Sequence, residues 1–304
     1  MLLSLSLFLS SLTCFVSVSL ASESISRASA LIRVGRYEAA LKTIDEHLDA
    51  NPAESAIWSM LQAEAYYATG RYKRARAALE KCRDNDLSEP VDLLKLRLAV
   101  AENDASEALA LAKRLVDIAE FSEATRHEAR YVLGRFLMET ETLVETGAQH
   151  LESLLEQDIT VDLRTDALTR LARHDRSQHA RTLLIRYPDS PGARALFEET
   201  GGRALNTADR LERIRTLFAM RVHDLLLPEL ERMISDAQAP PAFVQEAKLK
   251  RAIIKMRLKD QYQEAHALLE DAESGPSEKM RNEPRYRQAL VQGSLGNYRR
   301  ASEK

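Results

Sequence analysis

Chemistry needs the right residue types standing beside one another, so the seven histidines, two cysteines and paired carboxylates are weighed first. His174 and His179 are the one close histidine pair, and their gap of five turns the rings to different faces of a helix. A helical zinc site wants an i, i+4 pair with a third ligand nearby. These two read as solvent-facing residues near a helix turn, and His47, His127, His150, His223 and His266 are scattered. Cys82 sits where a helical hairpin wants a small packing residue, so a buried, inert thiol is expected rather than a nucleophile. No Gly-x-Ser-x-Gly phrase, Cys-His signature or phosphate-cradling glycine loop occurs. The acidic pairs Glu198–Glu199 and Glu152–Glu156 are assigned to solvated helix faces, with nothing in view to bury a carboxylate and raise its pKa. No catalytic residue, metal ligand or cofactor is expected in this chain.

The composition says where and with what such a chain works. Residues 1–20 carry no charge and are mostly Leu, Ser, Phe and Val, and Ser19-Leu20-Ala21 has the small residues of a signal-peptidase site. Residues 1–21 are therefore expected to be a signal peptide. A membrane anchor is the alternative, for which the run is short and Ser-rich. Lipidation at Cys14 would need a small residue before it, and Thr13 and Leu12 stand there instead. Without the leader only Cys82 remains, so no internal disulfide can form and packing must supply the stability. A net charge of −3, from 43 basic and 46 acidic residues, disfavours nucleic acid as a partner. Only ten glycines and nine prolines, with few strand-like β-branched runs, point to an all-α chain.

One phrase organises the remainder. Gly35-Arg36-Tyr37-Glu38-Ala39-Ala40 returns as Gly70-Arg71-Tyr72-Lys73-Arg74-Ala75 and again as Gly296-Asn297-Tyr298-Arg299-Arg300-Ala301. A recurring period in the thirties is the mark of stacked helical hairpins. Ile25, Ala28, Leu31 and Ile32 share one helical face, and Tyr37, Ala40, Leu41, Ile44 and Leu48 form the stripe of the next helix. Asn51-Pro52 ends that helix. The later units drift, with Asn103 at the turn-glycine place, Gly134 at a small position and an irregular stretch over 139–146. Tyr187-Pro188-Asp189-Ser190-Pro191-Gly192 reads as a breaker, so a seam is expected between residues 188 and 205. Helical hairpins are again expected over 208–234 and 242–272. The last unit stops shortly after Ala301, so either its final helix frays or the native chain continues. The predicted domains are residues 22–190 and 205–304.

On Ala28, Gly35, Tyr37, Ala40 and Pro52, and again on Ala63, Tyr66, Gly70, Tyr72, Ala75 and Leu79, the chain resembles the tetratricopeptide repeat. The resemblance implies a right-handed superhelical solenoid of TPR-like helical hairpins, about fourteen to sixteen helices at a period near 34 residues. It also implies that the first helix of each hairpin lines the concave surface, which would turn Arg33, Glu64 and Tyr67 toward a partner. Taken as ordinary residues, Tyr67 would pack between repeats and the other two would be solvated. The 186–191 phrase and residues 213–232 are further similar to the N-terminal helical region of soluble lytic transglycosylases, whose catalytic phrases do not occur here. Three readings follow. The first is an exported, envelope-associated scaffold holding a protein or peptidoglycan partner, and the second is the non-catalytic part of a peptidoglycan-cleaving enzyme. The third is a lipid-tethered assembly factor.

Overall fold

The computed structural model describes residues 23–50, 55–82, 88–174, 177–257, 261–273 and 278–294. The leader, Pro52 and the third copy of the repeated phrase lie outside the described residues. Within them the chain forms α-helices joined by turns and a single short 3-10 turn, with no strand. It divides into two compact units between Ile159 and Thr160.

The first unit holds α1 (residues 23–33), α2 (Tyr37–Ala50), α3 (Ser55–Ala68), α4 (Tyr72–Leu79), α5 (Ser88–Ala101), α6 (Ala105–Asp117), α7 (Glu123–Met138) and α8 (Val144–Leu155). In this unit the odd-numbered helices open hairpins and the even-numbered ones close them. Three apolar clusters of this unit each draw on three successive helices. Ala28, Ile44 and Trp58 join α1, α2 and α3. Met60, Ala63, Ala75, Leu79, Leu94 and Leu98 join α3, α4 and α5. Leu96, Ala99, Ala108, Leu115, Ala129 and Leu133 join α5, α6 and α7. Burial is shared only with sequence neighbours, which is the energetic character of a repeat stack.

The hairpin turns repeat one geometry. Gly35 and Gly70 adopt left-handed backbone (φ 75° and 72°), as do Asn103 (58°) and Arg221 (61°). In the second turn Gly70 N–H donates to the Tyr67 carbonyl and Arg71 N–H to that of Tyr66. Asn103 and Asp104 donate to Val100 and Ala99 in the same pattern, and Arg221 and Val222 to Phe218 and Leu217. These are Schellman closures that satisfy the last carbonyls of the first helix. Asn tolerates the conformation through its short polar side chain, whereas Arg does so at a cost.

Over 139–146, where the sequence reads as irregular, a 3-10 turn at Glu141–Leu143 leads into α8. Gly147 is the reason α8 can pack there. A Cβ on it would lie 2.6 Å from the Met138 amide nitrogen and 2.7 Å from the Gly134 carbonyl oxygen.

The second unit holds α9 (Val161–Arg173), α10 (Ser177–Arg186), α11 (Pro191–Thr200), α12 (Thr207–Met220), α13 (His223–Ser235), α14 (Pro241–Arg257), α15 (Tyr262–Glu273) and α16 (Glu278–Ser294). The expected seam at 188–205 is occupied by α11, and the division between units falls earlier. Pro191 begins this helix instead of ending one, since Pro is tolerated in a first turn. Ser190 caps it by accepting from the Ala193 N–H at 3.3 Å, and α11 packs on α9 and α10. Leu211, Ile214, Leu226, Leu230, Ala247 and Ile254 unite α12, α13 and α14. Ala252, Ala265, Leu269 and Val291 unite α14, α15 and α16.

Two substitutions test these turns and contacts. Arg221→Gly is expected to stabilise the chain by about 1 kcal/mol by relieving left-handed strain, read as a higher urea midpoint at unchanged slope. Gly147→Ala is expected to destabilise it by about 2–3 kcal/mol, because the obstacle is backbone and cannot rotate away.

Candidate functional site

The hairpin-opening helices α3, α5 and α7 carry a row of charges at matching register. Ala63 and Ala65 are fully buried and flank Glu64, while Leu96 and Leu98 flank Arg97 in the same way. The intervening side chains are thus fixed in direction and only half-buried. Arg97 donates from Nε and Nη2 to the two carboxylate oxygens of Glu128, both at 2.7 Å. This forked geometry is the strong form of an arginine–carboxylate pair, and it holds the Arg97 guanidinium above its ordinary pKa. One turn further along each helix stand Tyr67, Val100 and Tyr131, all half-buried against the clusters beneath them.

Of the three residues the sequence singles out, Glu64 and Tyr67 meet on this face and Arg33 does not join them. Arg33 is exposed near the end of α1. Tyr67 packs on the α3–α4–α5 cluster, its ring 5.9 Å from that of Tyr72. Burial pushes its hydroxyl pKa up, against the pull of the Arg97 charge. Glu64 is half-buried rather than plainly solvated. Burial raises its pKa, and the nearby Arg97 charge offsets only part of that. Glu229 departs in the same direction for the same first cause, being 3% exposed on the buried side of α13 with Arg213 and Arg232 beside it. It belongs to a packed interior in which Arg213 donates to the Leu184 carbonyl at 2.6 Å and lies 4.3 Å from the Phe197 ring centre.

Arg97 and Glu128 are missed by sequence reasoning, because their pairing shows only in the stacked hairpins. Three arginine–glutamate pairs at a separation of 31 residues are forked: Arg76–Glu107, Arg97–Glu128 and Arg215–Glu246. Each joins a helix to its counterpart in the following hairpin.

The second unit has its own hollow on the hairpin-opening helices α12, α14 and α16. It encloses about 430 Å³ and is lined by Phe243, Ala242, Leu249, Arg215, Glu246 and Glu283. That volume is enough for side chains of a bound segment. Arg215 reaches Glu246 at 2.8 and 2.6 Å, and Lys250 stands 4.5 Å over the Phe218 ring.

No set of three metal-capable side chains converges among the described residues. Cys82 is half-buried rather than fully so, donates weakly to the Ala56 carbonyl at 3.4 Å, and has its thiol pKa pushed up by burial. A thiol so disposed is a poor nucleophile. No described helix is long and apolar enough to cross a membrane.

The state of Glu64 is open to measurement. Its folded pKa lies above the usual 4.5, so the folded chain takes up this proton before the unfolded chain does as pH falls. The group therefore costs stability at neutral pH, and that cost is relieved as pH falls through the raised value toward 4.5. Glu64→Gln is expected to have the higher urea midpoint at pH 7, with the gap shrinking on acidification. A gap that is absent at pH 7 or widens toward pH 4.5 would contradict the burial described.

The family comparison agrees with the repeat reading over part of the chain. Residues 31–95, from the end of α1 into α5, match the tetratricopeptide-repeat family. No curated protein matches the chain. Among solved structures it is similar to a tetratricopeptide repeat protein from Parabacteroides merdae, at 14% identity and a TM-score of 0.43 over 91% of this chain and 98% of that one. Residues 31–95 thus match the tetratricopeptide repeat, and each of the two units is built, among the described residues, of α-helices packed as TPR-like hairpins.

Proposed function

We propose that this protein is an exported, cell-envelope scaffold that binds a protein partner along its hairpin-opening helices. The observation that carries the reading is the row Glu64–Arg97–Glu128 with Tyr67–Val100–Tyr131 beside it. Its side chains are oriented by a packed interior and remain half-exposed. Repeat stacks commonly use such extended surfaces for recognition, and this one joins apolar area to fixed charge without a reacting group. Export is supported by the uncharged stretch before Ser22 and its small-residue site at Ser19–Ala21. Peptidoglycan as the bound partner, and a place in a glycan-cleaving enzyme, rest on sequence resemblance alone and are the second reading.

Site-directed photocrosslinking separates these. A benzophenone-bearing phenylalanine at Tyr67 or Tyr131 is a conservative exchange, and at Lys113 on the outer side of α6 it serves as the control. In the native cell, discrete protein adducts are expected from positions 67 and 131 and not from 113. Adducts only from 113 would overturn the assignment of the face. Adducts to glycan material at 67 and 131 would favour the peptidoglycan reading. Edman sequencing of the mature chain is expected to begin near Ser22, and an intact N-terminus would remove export.

A further inference from the structure

The α3–α5–α7 face carries an unbalanced charge. Arg97 commits its Nε and Nη2 to both oxygens of Glu128, so that pair is closed on itself. Glu64, in the same row one repeat earlier, is half-buried, and among the described residues no hydrogen bond or ion pair reaches its carboxylate. A carboxylate drawn out of water without a donor is a standing cost in the free chain. A cationic donor from outside would repay it with a charge-assisted hydrogen bond. Tyr67 lies one turn along α3 from Glu64 and is half-buried itself. Long basic side chains lay their methylene stems on such apolar surface while the charged head reaches a carboxylate. An acidic segment placed there would meet the Glu64 charge, which Arg97 offsets only in part, and a neutral one would leave it without a donor.

We propose that this face docks a partner protein through a lysine or arginine side chain, its cationic head held by the Glu64 carboxylate and its stem packed against Tyr67. The assignment rests on the reading of this face as the scaffold's binding surface and names the chemistry that the surface selects. Arg97 and Glu128 then act as a fixed wall to the site. With the guanidinium already forked onto Glu128, the selectivity is for cations rather than carboxylates.

Three displayed twelve-residue peptide libraries test it, each random except for a central Lys, Glu or Gln, panned on the full chain. Binders are expected from the Lys library. Their affinity should fall about tenfold in Glu64→Gln, the loss of one hydrogen bond to a charged group, and stay unchanged in Glu156→Gln on the exposed end of α8. Circular dichroism and the urea midpoint of Glu64→Gln confirm that the variant is folded. Binders arising mainly from the Glu or Gln library, or Lys binders indifferent to Glu64→Gln, would overturn the cation assignment while leaving a peptide-binding scaffold in place. No binder from any library would instead remove the scaffold reading, and this inference with it.

Discussion

The structure depends on helices approaching one another at alanine distance. Ala28 and Ala40, Ala63 and Ala75, Ala99 and Ala108, Ala167 and Ala180, and Ala252 and Ala265 recur along successive hairpins, buried at 0–6% exposure. A small residue lets two backbones come close enough for the larger neighbours to interlock. Where even alanine is too large the chain uses Gly147, set against the backbone of α7. Once these contacts are made, the apolar clusters of three helices each follow, and no hairpin needs a distant partner. The residues between the buried positions then lie outside the apolar packing itself. Glu64, Arg97 and Glu128 are such residues.

A second layer of contacts ties like helix to like helix. The forked Arg–Glu pairs at a separation of 31 residues run parallel to the apolar stacking. Exposed ion pairs contribute little each, roughly 0–1 kcal/mol. Their planar two-point geometry makes them more useful for fixing register than for stability. On the α3–α5–α7 face the same geometry consumes the positive charge and leaves a carboxylate over, so a device of register also sets the chemistry of the surface.

Much of this was legible from the sequence. The phrase around Gly35 and Gly70 located the left-handed turns, and Asn103 at the glycine place retains the same backbone. Arg221 was invisible as a turn residue because nothing in its side chain announces a left-handed backbone. Tyr187–Gly192 misled, since Ser-Pro after a break caps and starts a helix as well as it ends one. For the face, Glu64 and Tyr67 could be placed from the repeat register. Their neighbours Arg97 and Glu128 could not, because a pair 31 residues apart is a tertiary fact that shows only once the hairpins stack.

Nearest-neighbour stacking is the claim on which the rest stands, and native-state hydrogen exchange at low denaturant measures it most directly. The account predicts graded openings in which helices sharing a cluster, such as α5, α6 and α7, exchange together while other clusters stay protected. A single global opening with the same free energy for every helix would contradict it, and would mean that the hairpins hold one another through contacts other than those described here.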